Sequence, residues 1–236
     1  MRSIPWRALA ACLGCGVMGG WGCPRSTPPD APKAQASSQR VKTHMTALDV
    51  VPLARIKVTQ GALSEQSDGW LLVRAARMRA VVPGTKTSQA MLRFKLSGPS
   101  TEQRPFESGE LRQQVGLKLR AMDGCNVLYV MWRITPTPGV VVNYKRNPEM
   151  HHSSDCGNAG YTTVRPSHHG KTSAPAPELD QEHSLRAHLE AGGLRVWADD
   201  ILVWEGTLPA EALELDGPVG LRSDNVQLTL QLAVPP

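Results

Sequence analysis

Along residues 226–234 apolar and polar side chains alternate without a break. Val226, Leu228, Leu230, Leu232 and Val234 fall on one parity, and Gln227, Thr229, Gln231 and Ala233 on the other. Successive side chains of a strand point to opposite faces, so the run predicts a strand with one face in a core and one in water. A helix would scatter the same apolar residues around its circumference. The same period recurs upstream. Ala90, Leu92, Phe94 and Leu96 alternate with Met91, Arg93 and Lys95. Val115, Leu117 and Leu119 alternate with Gly116, Lys118 and Arg120, and Leu128, Val130, Trp132 and Ile134 with Tyr129, Met131 and Arg133. Further strands are predicted over Leu48–Val58, Trp70–Val82, Val140–Arg146 and Tyr161–Arg165.

Turn signals separate these runs. Pro136-Thr137-Pro138-Gly139 leads into the Val140 strand, and Ala191-Gly192-Gly193 follows the His183–Glu190 strand. Asp199-Asp200 stands between Leu194–Ala198 and Ile201–Trp204, which predicts a hairpin of open register. Residues 97–112, 147–160 and 166–177 are polar loops. No helix and no internal repeat is evident. Gly (21) and Pro (19) are frequent and aromatics make up only 5%, which suits many short strands better than a helical bundle. The fold class is therefore all-β: a two-sheet antiparallel β-sandwich over residues 47–236.

The closing segment, HSLRAHLEAGGLRVWADDILVWEG followed by GPVGLRSDN, resembles the last strands of concanavalin A-like lectin/glucanase jelly rolls, nearest the laminin G-like branch. Asp200 stands where that family's hairpin carries glycine, and Glu182 where it carries tryptophan. The resemblance implies a jelly roll that binds ligand on a concave sheet or its rim loops.

The N-terminus predicts export. Arg2 and Arg7 precede an uncharged stretch, Ala8 to Trp21, too short for a membrane span. Gly22-Cys23 then leads into PRSTPPDAPKAQASSQRVKTHMT. This resembles a bacterial lipoprotein signal: residues 1–22 as signal peptide, Cys23 lipidated, and residues 23–46 a Pro/Ser/Ala-rich linker to an outer-membrane anchor. The alternative is plain secretion. An exported compartment also permits a bridge between Cys125 and Cys156, the two cysteines of the body; two buried thiols are the alternative.

The net charge is +5, and no basic run is interleaved with aromatics, so nucleic acid is not indicated. No motif demands a cofactor. Glu178, Asp180 and Glu182 match the E-x-D-x-E pattern of laminarinase-type glycosidases, in which two carboxylates serve as nucleophile and general acid. Pro175 and Pro177 argue against a central strand there, which favours a solvated acidic turn. His151, His152, His168 and His169, with Asp155 and Cys156, lack the spacing that makes zinc ligands converge. The strand parities point elsewhere. If consecutive strands share a face, Lys118, Arg120, Tyr129, Arg133, Asn143 and Lys145 lie together. The rim stretch NYKRNPEMHHSSDCGNAGY carries Lys145 and adds Arg146, Asn147, Asn158 and Tyr161. Cations with an amide and a tyrosine suit an anionic or hydroxyl-rich glycan. The bland reading is an ordinary wet sheet face. Three functions follow: a non-catalytic carbohydrate-binding protein of the cell envelope, a sugar-processing enzyme on the same fold, or an adhesion protein that binds another protein.

Overall fold

The computed structural model describes residues 47–167 and 174–236. The signal segment, Cys23, the linker, His168 and His169 lie outside the described residues. The strands are β1 (Asp49–Val50), β2 (Lys57–Gln60), β3 (Ser64–Glu65), β4 (Leu71–Val73), β5 (Arg77–Val81), β6 (Gln89–Pro99), β7 (Gln113–Leu119) and β8 (Val127–Thr135). They continue with β9 (Gly139–Lys145), β10 (Tyr161–Val164), β11 (Glu182–Glu190), β12 (Gly193–Ala198), β13 (Ile201–Thr207), β14 (Gly220–Asp224) and β15 (Val226–Val234).

Two antiparallel sheets result. The first runs β13-β12-β11-β6-β15-β4-β3, with β1 also paired to β15. The second runs β10-β9-β8-β7-β14-β5-β2. The alternating run at residues 226–234 becomes a central strand, flanked by β6 and β4. Its even-numbered side chains are buried and Gln227, Thr229 and Gln231 only half so. Burial of each Leu, Val or Phe contributes roughly 1.5–3 kcal/mol. The sheets meet through such side chains: Phe94 of the first packs edge-on against Trp132 of the second, with ring centroids 5.7 Å apart. Trp132 Nε1 donates to Pro175 O at 2.8 Å, which removes the cost of burying the indole N–H.

The hairpin at Asp199-Asp200 forms with both residues at positive φ, 48° and 62°. That is the conformation a two-residue turn between twisted strands requires. Asp199 also fastens the turn to β11, accepting from Ser184 N at 2.7 Å while its other oxygen lies 2.8 Å from His183 Nδ1. The open register is settled by a bulge: Val196 pairs with Trp204, but Trp197 pairs with Leu202.

Several sequence expectations need correction. Leu48–Val58 is not one strand. Pro52 interrupts it, and a 3-10 turn over Leu53–Arg55 separates β1 from β2. Trp70–Val82 is two strands in different sheets, β4 in the first and β5 in the second. Two single helical turns, α1 (Ser153–Cys156) and α2 (Ala210–Leu213), occur where no helix was predicted. Four residues are too few to show a 3.6-residue period.

Candidate functional site

The outer face of the second sheet is built by register. Val81, Gly220, Lys118, Tyr129, Asn143 and Thr163 are successive cross-strand partners from β5 to β10, so they lie in one row. The next row is Arg79, Arg222, Gly116 and Met131, and the one beyond it Arg77, Asp224, Gln114 and Arg133. Loops rise around this floor. They enclose a cavity of about 780 Å³ whose lining includes Arg79, Lys118, Tyr129, Lys145, Tyr161 and Arg222. A smaller extension of about 290 Å³ continues along Gln114, Arg133 and Asn143. Phe106, Tyr129, Asn158, Tyr161 and Arg222 line both, so the two form one groove.

A buried ionic cluster sets its charge. Asp224, fully buried, accepts from Arg79 Nη2 at 2.6 Å, Arg222 Nε at 2.8 Å and Gln114 Nε2 at 2.7 Å. Burial works against the carboxylate, but Arg222 and Arg79 overcome it and bring its pKa down to about 2. Arg222 Nη1 also donates to Tyr161 Oη at 3.1 Å, and the guanidinium lies 4.8 Å from the centre of the Tyr129 ring. Tyr129 and Tyr161 stack with centroids 6.0 Å apart. Burial pushes the Tyr129 hydroxyl up to about 12. Tyr161 is held below its ordinary value because Arg222 and its hydrogen bonds outweigh burial. Lys118 is 5% exposed and directly opposite Tyr129. Burial first, then the charges of Arg79 and Arg222, lower its pKa to about 8.

The rim is stapled. Cys125 and Cys156 form a disulfide, with Cα atoms 6.0 Å apart. Asn126 Nδ2 donates to the carbonyls of Asn147 and Met150, both at 3.0 Å, and Asn147 Nδ2 returns to Cys125 O and Ala159 O. On the opposite side β6 runs on to Pro99, past the expected loop start at 97, and Asn225, buried and at positive φ, holds the 100–112 loop through Arg104 and Arg112. That anchor delivers Phe106 to the groove.

Lys118, Tyr129, Arg133, Asn143 and Lys145 therefore share a face, as their parity predicts. Three features differ from expectation. Arg120 leaves the group: β7 ends at Leu119, Arg120 takes a positive φ, and its guanidinium donates to the carbonyls of Leu213 and Leu215. Asn147 is a clasp for the loop and does not line the cavity. The face is a sunken groove and not a flat wet surface, since Tyr129, Met131, Lys118 and Lys145 are buried at its floor between the loops. Lys145 Nζ donates to Gly157 O at 2.6 Å and so ties the floor to the stapled loop.

Glu178, Asp180 and Glu182 lie at the entry to β11, in the other sheet, and all three are exposed. Glu182 is paired with Arg93, and Asp180 takes a positive φ in the turn before the strand. They do not line the groove. His151 Nδ1 lies 2.9 Å from Asp123 Oδ2, and Cys156, being bridged, has no thiolate to offer a metal. Among the described residues no group of three His, Cys, Asp or Glu side chains is placed to hold a metal ion.

Parity within β7, β8 and β9 does not reveal Arg79, Arg222 and Asp224. Their signal was present, because Arg77 and Arg79 alternate with Met78 and Ala80, and Arg222 and Asp224 with Leu221 and Ser223. What was lacking was the knowledge that β14 and β5 lie beside β7.

No family model and no curated protein sequence matches the chain. Solved structures do. The carbohydrate-binding module CBM66 from Bacillus subtilis superposes with a TM-score of 0.51 at 11% identity, covering 75% of this chain and 91% of the module. Caenorhabditis elegans galectin LEC-6 gives 0.40 at 10% identity, covering 78% and 99%. The fold is an all-β, two-sheet antiparallel jelly-roll sandwich. At such identity the likeness concerns the fold alone.

Proposed function

We propose that this protein binds carbohydrate without cleaving it, that the groove across the second sheet holds the glycan, and that the chain is exported and lipid-anchored at the cell envelope. The groove is the observation that carries the reading. Its volume falls within the roughly 300–1,000 Å³ of small-ligand sites, and its floor combines stacked tyrosines with guanidinium, ammonium and amide donors. Tyrosine faces suit the apolar patches of a sugar ring, and fixed donors suit its hydroxyls. The structural likeness to a carbohydrate-binding module supports the same reading. The rim carboxylates are taken up by the rim itself: Glu107 accepts from Asn158, and Asp123 from Asn126 and the Cys125 N–H. This favours binding over glycosidic hydrolysis, which needs a free acid and nucleophile.

The anchor rests on sequence: Cys23 after a short uncharged stretch, followed by a Pro-rich linker that would reach roughly 60 Å if extended. The laminin G-like resemblance of the closing strands belongs to the same reading. Two experiments test it. On a glycan array the full chain should bind at least one saccharide class, and silence across the array would overturn the binding role. Radiolabelled palmitate should enter the wild type and not Cys23→Ser; equal labelling would dismiss Cys23 as the anchor.

A further inference from the structure

The groove floor holds more positive charge than its own residues neutralise. Arg79 spends Nη1 on the carbonyls of Met78 and Ser223 and Nη2 on Asp224. Arg222 divides Nε and Nη1 between Asp224 and Tyr161. Lys145 is held by Gly157 O. Against these cations the cluster supplies one buried carboxylate, Asp224. Lys118 is different. Among the described residues its ammonium has neither a hydrogen bond nor an ion pair, although the side chain is about as buried as the core and faces the cavity. Nζ keeps some access to the cavity, but partial desolvation of a cation without a partner is costly, and here two arginines add repulsion. A fold that keeps such a group at the floor of an open cavity has placed a donor where an incoming anion would satisfy it.

We infer that Lys118 and Arg222 form an anion subsite, and that the glycan taken by this groove is acidic, presenting a carboxylate or sulfate there. The inference rests on the carbohydrate-binding reading and names the substrate class. Geometry supports it. Lys118 lies opposite Gly220, which has no side chain to cover the ammonium, and Arg222 is the diagonal neighbour two residues on. The stacked tyrosines beside them leave a ring face next to the charge. Guanidinium and ammonium groups are the usual partners of such anions.

A pH signature follows. The charges that act on Lys118 are Arg79 on β5, Arg222 on β14 and Asp123 on the rim, and Tyr129 on β8 is its cross-strand partner. Lys145 and Tyr161 act on Arg222 and on each other, and His151 on Asp123. An anion favours protonated Lys118, so binding takes up a proton and weakens as pH rises above about 8. The fall approaches tenfold per pH unit.

The test is an array of neutral, uronate-bearing and sulfated glycans probed with the full chain and with Lys118→Met. The uronate and sulfate arms identify the source of the anion. Wild type should bind acidic members at least tenfold more tightly than neutral ones at pH 7, and Lys118→Met should lose that preference. Calorimetry on the best acidic ligand should show the decline above pH 8 in wild type and in Tyr161→Phe, but not in Lys118→Met. The methionine variant should melt no lower than wild type, which separates lost binding from lost folding. Binding confined to neutral glycans overturns the anion subsite and leaves the carbohydrate role standing; no binding at all overturns both. An unchanged preference in Lys118→Met, or a pH step that Tyr161→Phe abolishes, also overturns the assignment.

Discussion

The guanidinium of Arg79 sits 2.6 Å from the carboxylate of Asp224, across the pairing of β5 with β14. Both side chains point away from the hydrophobic core, yet Asp224 is buried and Arg79 is only 14% exposed. The pair is the keel of the groove, because the same carboxylate also fixes Arg222, and Arg222 fixes Tyr161.

Removing Asp224's charge should therefore be expensive. Asp224→Asn leaves the buried Arg222 and the half-buried Arg79 without a counter-ion, and the expected loss is about 3–5 kcal/mol. Urea unfolding measures it, and a loss under 1 kcal/mol would contradict the role assigned to the carboxylate.

The same residue sets an acid limit. Its pKa in the fold, about 2, lies below the ordinary 3.8, so its contribution is complete above about pH 4 and is lost as pH falls toward 2. Acid unfolding curves of wild type should steepen across that window relative to Asp224→Asn. Parallel curves would mean the ion pairs contribute nothing to acid stability.

The Cys125–Cys156 bridge spans a separation of 31 residues. Closing a loop of that length restricts the unfolded chain by about 3–4 kcal/mol. Reduction, or Cys125→Ala with Cys156→Ala, should lower the melting temperature and weaken glycan binding, because the stapled loop carries Gly157 and Asn158 to the cavity. An unchanged melting temperature under reductant would show that the Asn126–Asn147 clasp suffices alone.

Tyr161 is the exposed member of the tyrosine stack. Tyr161→Ala should reduce glycan affinity on the order of tenfold, or about 1.4 kcal/mol, by removing the ring face and freeing Arg222 Nη1. Titration calorimetry is the measurement, and equal affinity would move the ligand elsewhere.

Glu178→Gln with Glu182→Gln should leave binding intact and stability within about 1 kcal/mol, since the Arg93–Glu182 pair is partly exposed. If a wild-type hydrolytic activity were found and these changes abolished it, the acidic turn would be a catalytic site after all.

The sequence was legible where a single local rule acts. Alternation alone identified β6, β7, β8 and β15, because a strand beside a core must place every second side chain in it. The Asp199-Asp200 turn was legible for a similar reason, since two residues that tolerate positive φ stood between two apolar runs. The face carrying Lys118, Tyr129, Arg133, Asn143 and Lys145 also followed from parity, because β7, β8 and β9 are joined by short turns and pair in sequence order.

Arg120 marks where parity stops. One residue beyond the strand, its backbone turns to positive φ and its side chain goes to α2 instead of the groove. Parity describes only residues that remain in the ladder.

What the sequence determined by itself was the β period, the turns and therefore the layered fold class. What only the tertiary structure decided was the neighbourhood of β7. A strand about a hundred residues later in the chain, β14, inserts beside it and brings Arg222 and Asp224 to Lys118, with β5 adding Arg79. Side-chain alternation is a local property of the backbone, whereas strand order is settled by which apolar faces bury the most surface together. The charge of the groove comes from that second choice.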